Sequence, residues 1–156
     1  MKFTVRRARR EDREELAQLR FELWPDGPLE EHCEEIDALF ATGMSGTLPA
    51  AAFVAVDEDG RLVGFLEAGL RSHSDGCDPA RPVGYIEGWY VREPWRLHGV
   101  GRELVMAAEE WARGQRCREM ASDAELDNVG SQRAHEALGY QETERCVVYR
   151  KSLVEE

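Results

Sequence analysis

Arg96, Gly99 and Gly101 stand in the spacing Arg-x-x-Gly-x-Gly, after the apolar run Trp89-Tyr90-Val91 and before the helix-forming residues Arg102-Glu103-Leu104. A loop that opens a helix presents backbone N–H groups without intrahelical partners, at the end where the helix dipole is positive. A pyrophosphate sits on such donors without a metal. The glycines serve it differently: one permits unusual backbone angles, the other leaves no Cβ between the main chain and a bulky anion. Arg96 adds a positive side chain. The spacing is neither that of a Walker loop, Gly-x-x-x-x-Gly-Lys-Ser/Thr, nor that of the dinucleotide fingerprint, Gly-x-Gly-x-x-Gly. On its own it also fits an ordinary loop-to-helix turn.

Periodicity gives the elements that must hold this loop. Phe3 and Val5 alternate with polar neighbours as a first strand, and Glu11 to Trp24 carries Leu16, Leu19, Leu23 and Trp24 at helical spacing. Pro25-Asp26-Gly27-Pro28 ends that helix, and a second is expected over Leu29 to Ala41, followed by a loop to Pro49. Ala51 to Val56 and Leu62 to Arg71 flank Asp57-Glu58-Asp59-Gly60, a hairpin signal. A polar loop from Ser72 to Pro82 precedes a strand from Val83 to Val91. Beyond the glycine loop come a helix to about Gln115, a short strand at Glu119 to Asp123, a helix from Val129 to Leu138 and a last strand at Glu142 to Arg150. The order is βααβββαβαβ, an α/β (α+β) mixed sheet, mostly antiparallel, of about six to seven strands with helices on both faces.

The 156 residues suit one domain, 1–156, with 42% hydrophobic content for its core. No apolar run reaches membrane-spanning length, and Met1-Lys2-Phe3-Thr4-Val5-Arg6-Arg7 lacks the apolar stretch of a signal peptide, so a cytoplasmic protein is expected. Cys33, Cys77, Cys117 and Cys146 show no Cys-x-x-Cys pair and no His at ligand spacing; they are expected as free thiols, with no metal site. A net charge of −11 repels nucleic acid and attracts cations. The arginines from Arg6 to Arg13 are interleaved with Glu11, Asp12, Glu14 and Glu15, a solvated helix start rather than an RNA patch.

The element order, with the glycine loop after the fourth strand, resembles the GNAT superfamily of N-acetyltransferases, whose acyl-CoA pyrophosphate loop Arg96 to Gly101 is similar to. Asn128 to Tyr140 looks like the superfamily's second signature, an Asn that opens a helix ending in Leu-Gly-Tyr, although N-capping by Asn128 and a C′ role for Gly139 explain the same residues. The resemblance extends to the aminoglycoside 6'-N-acetyltransferases. It is carried by Leu23-Trp24-Pro25, Asp75-Gly76-Cys77, Tyr85 to Val91, Cys117-Arg118-Glu119-Met120-Ala121-Ser122-Asp123, Glu142 to Arg145 and Val148 to Lys151. It implies a single acetyltransferase domain that uses acetyl-CoA to acetylate the 6'-amine of aminoglycoside antibiotics, giving resistance. Position by position, it assigns Trp24, Glu87, Asp123 and Glu144 to the acceptor, with His73 near where relatives carry a drug-contacting aromatic. It assigns Trp89, Tyr90, Val91, Leu97, His98, Gly99, Val100, Gly101, Arg102 and Asn128 to acetyl-CoA, joined by Arg96 of the loop motif.

The chemistry of these positions agrees with that assignment. An aminoglycoside carries several ammonium groups and needs carboxylates aimed into a cleft, and an indole such as Trp24 stacks on the apolar face of a sugar. An ammonium must lose a proton before it attacks a thioester, so an ionised carboxylate, Asp123 or Glu87, is the expected base, directly or through water. A strand N–H near Val91 would hold the developing oxyanion. Each acid also has an ordinary reading, as a solvent-facing strand residue, a turn cap or a partner of Arg145 or Arg150. His135 stands where many relatives carry a Tyr general acid, and a His in a helix is more often structural. Two alternatives remain: the same chemistry on a polyamine or peptide amine, or a non-catalytic acyl-CoA-binding module. Relatives often dimerise, and Val147 to Leu153 offers an edge for a homodimer.

Overall fold

The alternation at the N-terminus produces β1 (Phe3–Arg7), antiparallel to β3 (Leu48–Asp57), with Phe3 opposite Asp57 and Arg7 opposite Phe53. The structure is a computed structural model and describes residues 1–155. It divides into a unit from Met1 to Asp123 and a second unit from Ala124 onward.

In the first unit β3 pairs with β4 (Leu62–Arg71) and β4 with β5 (Val83–Val91), both antiparallel, while β5 pairs in parallel with β6 (Met120–Ala121). The strand order is β1-β3-β4-β5-β6, and β2 (Met44–Ser45), inside the expected loop, pairs with the start of β3. Helices α1 (Arg13–Leu23) and α2 (Leu29–Thr42) bring Leu16, Ala17, Leu19, Cys33 and Ile36 onto Ala52, Val54, Val56, Leu62 and Phe65. A strand's side chains alternate, so the residues between these serve the opposite face. There α3 (Val100–Gly114) buries Val100, Leu104, Val105, Ala108 and Ala112, at helical spacing. Burial of each larger aliphatic side chain contributes about 1.5–3 kcal/mol.

Two irregularities in β5 shape one end of the sheet. The register of β5 against β4 slips so that Glu67 faces Gly88 while Ala68 faces Ile86, leaving Glu87 as the extra residue. A bulge sets two successive residues against one of the partner strand, so strict alternation is broken there. Glu87 Cγ accordingly lies 3.9 Å from the Cβ position of Gly69, and the indole of Trp24 covers Gly88. The second irregularity is the brevity of β6, which pairs only through Gly84–Met120 and Tyr85–Ala121. Beyond Tyr85 that edge of β5 has no ladder partner among the described residues.

The second unit holds α4 (Val129–Ala137), capped by Asn128, whose Oδ1 accepts from the Ser131 N–H at 3.1 Å. The strand expected over Glu142 to Arg150 is not formed among the described residues, so the order closes on α4. Val147, Val148, Tyr149, Leu153 and Val154 are exposed. A strand exists only as a hydrogen-bonded pair, and an alternating apolar sequence does not by itself supply the neighbour.

Candidate functional site

The Tyr85–Ala121 pair of the parallel β5/β6 ladder sets the site's geometry. Glu87 and Asp123 each lie two residues past it in parallel chain segments, so both arrive at the same end of the sheet. Tyr85, 6% exposed, donates its phenol to Asp123 Oδ2 at 2.7 Å. Burial, reinforced by that carboxylate, pushes the Tyr85 phenol well above its ordinary value. Arg71, the last residue of β4, forks onto Glu87, with Nε 3.0 Å from Oε1 and Nη2 2.9 Å from Oε2. Its guanidinium carbon is 3.5 Å from the centroid of the Tyr85 ring. The Glu87 hydrogen bonds raise the Arg71 pKa further.

Trp24 closes α1, its N–H bonded to the Arg20 carbonyl at 2.7 Å. The indole stacks on His32 with 6.4 Å between centroids, meets Phe65 edge-on at 6.0 Å, and has the Arg20 guanidinium 5.2 Å from its ring. Arg20, buried on the inner side of α1, donates Nε to His32 Nδ1 at 3.2 Å and its terminal nitrogens to Glu67 and Glu35. With Nδ1 accepting, the proton of His32 sits on Nε2, which donates to the Trp24 carbonyl at 3.0 Å. Burial pushes the Glu67 carboxyl up against the opposing pull of Arg20. Both the backbone and the ring of Trp24 are therefore braced from behind.

At the far end of β5, a turn at Glu93–Trp95 leads into the glycine loop. Gly99 adopts φ +86° at the N-cap of α3, which has no side-chain cap. Leu97 also sits at positive φ, +65°, with its side chain fully exposed; for a residue with a Cβ this costs on the order of 1–2 kcal/mol. Arg96 donates Nε to the Val91 carbonyl at 2.7 Å and lies 5.7 Å from the Tyr90 ring, tying the loop to the strand's end. The Trp89 ring packs 3.2 Å from the Cβ position of Gly101, under the first turn of α3. His98 and Arg102 are exposed. Free N–H groups, a positive helix end and no Cβ at Gly99 make a donor set that fits a pyrophosphate.

The structure thus brings Glu87, Asp123 and Trp24 together at one stretch of β5, with Trp89, Tyr90, Val91 and the residues from Arg96 to Arg102 at that strand's end. His73 lies exposed in the loop between β4 and β5, its Nε2 3.6 Å from Asp75 Oδ1. In the second unit Asn128 caps its helix. His135 Nδ1 donates to the Ser131 carbonyl at 2.7 Å, with Tyr140 edge-on to its ring. Glu144 is exposed in the segment after α4, and Arg145 pairs with Glu142 at 2.6 Å. The sequence reading missed Arg71, Tyr85, Arg20 and His32. Signals were present: Tyr85 precedes Glu87 by the strand period, and Arg20 interrupts an apolar stripe between Leu16 and Trp24.

The site combines a helix start that fits an anion, a bulged strand and carboxylates at one end of the sheet, and comparison with known proteins places the chain in the acyltransferase class. Residues 10–140 match the acetyltransferase (GNAT) family. The aminoglycoside N(6')-acetyltransferase type 1 of Stenotrophomonas maltophilia is 41% identical over 96% of this chain and 94% of its own length. The enzyme of that name from Klebsiella aerogenes is 45% identical over 86% of this chain and 87% of its own length. The solved structure of AAC(6')-Iy in complex with the bisubstrate analogue CoA-S-monomethyl-acetylneamine superposes with a TM-score of 0.87. It shares 34% identity over 97% of this chain and 99% of that one. The chain belongs to the GNAT acetyltransferase family and, within it, to the aminoglycoside 6'-N-acetyltransferases.

Proposed function

We propose that the chain transfers the acetyl group of acetyl-CoA directly to the 6'-amine of an aminoglycoside, and so gives resistance to these antibiotics. The observation that carries this is that Glu87, beside Trp24 on the strand that also leads into the glycine loop, reaches the same end of the sheet as Asp123, just past β6. Acetyl-CoA supplies an activated acyl group, and residues of this chain do the rest. Backbone N–H groups from Leu97 to Arg102 hold the pyrophosphate, with Arg96 fixing the loop and Trp89, Tyr90 and Val91 completing that side. Glu87 and Asp123 take ammonium groups, Trp24 walls one sugar, and His73 borders the acceptor; the family resemblance assigns Asn128 to acetyl-CoA and Glu144 to the acceptor. Asp123 or Glu87 accepts the proton that the attacking ammonium must lose.

Release of free CoA thiol tests this with tobramycin, a 6'-hydroxyl aminoglycoside, spermidine and a basic peptide as acceptors. Turnover with tobramycin but not with the 6'-hydroxyl analogue is expected. Turnover only with spermidine or peptide would move the acceptor elsewhere while keeping the chemistry. Asp123→Asn and Glu87→Gln are expected to lower kcat by about 10²-fold or more for whichever acid is the base; if both retain full turnover with an unchanged pH profile, neither is.

The working form is a homodimer of one-domain chains in the cytoplasm. Support comes from the exposed run Val147, Val148, Tyr149, Leu153 and Val154, since apolar surface of that extent marks an interaction site. Among the described residues no helix is long and apolar enough to cross a membrane, and the −11 net charge disfavours nucleic acid. Sedimentation at micromolar protein should give twice the chain mass, and a single-chain mass would reject the dimer.

A further inference from the structure

We propose that Arg71 is an internal competitor of the acceptor: in the free protein its guanidinium holds the place on Glu87 that an ammonium of the polycationic acceptor takes, and it leaves as the acceptor enters. This rests on Glu87 and Asp123 being the acceptor carboxylates. The geometry is that of a bound cation. Both oxygens of Glu87 are engaged, at 3.0 and 2.9 Å, in the fork that makes guanidinium–carboxylate pairs strong. The same group lies 3.5 Å over the ring of Tyr85, whose hydroxyl bonds Asp123 at 2.7 Å. One side chain therefore satisfies the first carboxylate and covers the phenol that orients the second.

Arg71 is placed to leave. It ends β4 at the edge of the Ser72–Pro82 loop, and its side chain is 44% exposed. Arg20 is the contrast, 7% exposed and held by Glu67, Glu35 and His32. A second cation at contact distance on Glu87 would lie beside the Arg71 guanidinium, and the two repel. An incoming monoamine would merely exchange one cation for another. An acceptor with several ammonium groups displaces Arg71 and gains Asp123 in addition, so a polycation recovers the common cost of displacement and a monoamine does not.

The test compares wild type, Arg71→Ala and Arg71→Lys by calorimetric binding of neamine and of the monoamine 6-amino-6-deoxyglucose, with KM and kcat for neamine measured alongside. Arg71→Ala is expected to tighten neamine by about two- to fivefold, the worth of a partly exposed ion pair. It should tighten the monoamine by the same factor, since both ligands displace the same group, and lower KM for neamine. Lysine keeps the charge but not the fork, and should fall between. Unchanged or weaker neamine binding in Arg71→Ala would overturn the proposal and make Arg71 a brace for Glu87. Tighter neamine binding without acetylation of any aminoglycoside by wild type would sustain this proposal and sink the enzymatic reading. No neamine binding in any variant would sink both.

Discussion

Tyr85 gives Asp123 a direction. Its hydroxyl occupies Oδ2 at 2.7 Å, which fixes where Oδ1 points. Tyr85→Phe keeps the ring beneath Arg71 and removes only that donor. A hydrogen bond to a charged group contributes about 1.5–3 kcal/mol, so the melting temperature should fall by several degrees and kcat/KM with tobramycin, measured where the variant is still folded, by about tenfold or more. A loss of stability with kcat/KM unchanged would make Tyr85 a packing residue. Asp12 shows the opposite use of a carboxylate, for stability. Burial works to raise it, but the Arg6 guanidinium, at 2.7 and 2.9 Å, and the Arg9 N–H, at 2.7 Å, hold it below the usual carboxylate range. A folded-state value below the unfolded one stabilises above the unfolded value, and that gain is lost as pH falls through the folded one. Asp12→Asn should therefore cost about 2 kcal/mol at neutral pH, measured as a lower urea midpoint, and the gap to wild type should close as pH falls below about 4. Glu87 and Asp123 were legible as residues because their neighbours match a family. Their partners Arg71 and Tyr85 were not, because cross-strand register is invisible in a single chain of letters.

The bulge at Glu87 is the element that brings Glu87 and Trp24 to one stretch of β5. With strict alternation Glu87 and Gly88 would face opposite ways; the extra residue lets the carboxylate lie over Gly69 while the indole of Trp24 lies on Gly88. A Cβ on Gly88 would collide with Trp24 Cη2, so Gly88→Ala must move a ring that His32, Phe65 and Arg20 hold in place. The expected cost is about 1–3 kcal/mol of stability, with KM for the aminoglycoside rising more than kcat falls. Unchanged denaturation and kinetics would mean that the indole yields freely. Periodicity found β1, α1 to α4 and the β3–β4 hairpin to within a few residues, because burial on one face writes the same period into sequence and structure. It did not find the bulge, which changes register without changing composition. It overcalled the strand at Glu142 to Arg150, where alternation is present and no neighbour is paired.

At the scale of the whole molecule, 31 acidic against 20 basic residues leave a field that draws polycations in and slows anions. Acetyl-CoA is the anion, and on the proposed reading it is met by the fixed backbone donors and helix end of the glycine loop, with Arg96 engaged by Val91. The two substrates should therefore answer salt in opposite directions. Screening shortens the reach of the field to about 10 Å at 0.1 M salt. Raising sodium chloride from about 20 to about 300 mM should lower kcat/KM for tobramycin by about tenfold, the lower end of steering effects, and leave that for acetyl-CoA level or improved. Inhibition of both alike would be a general salt effect. A flat response for tobramycin would place capture wholly in the local contacts of Glu87, Asp123 and Trp24, with the overall charge serving solubility alone.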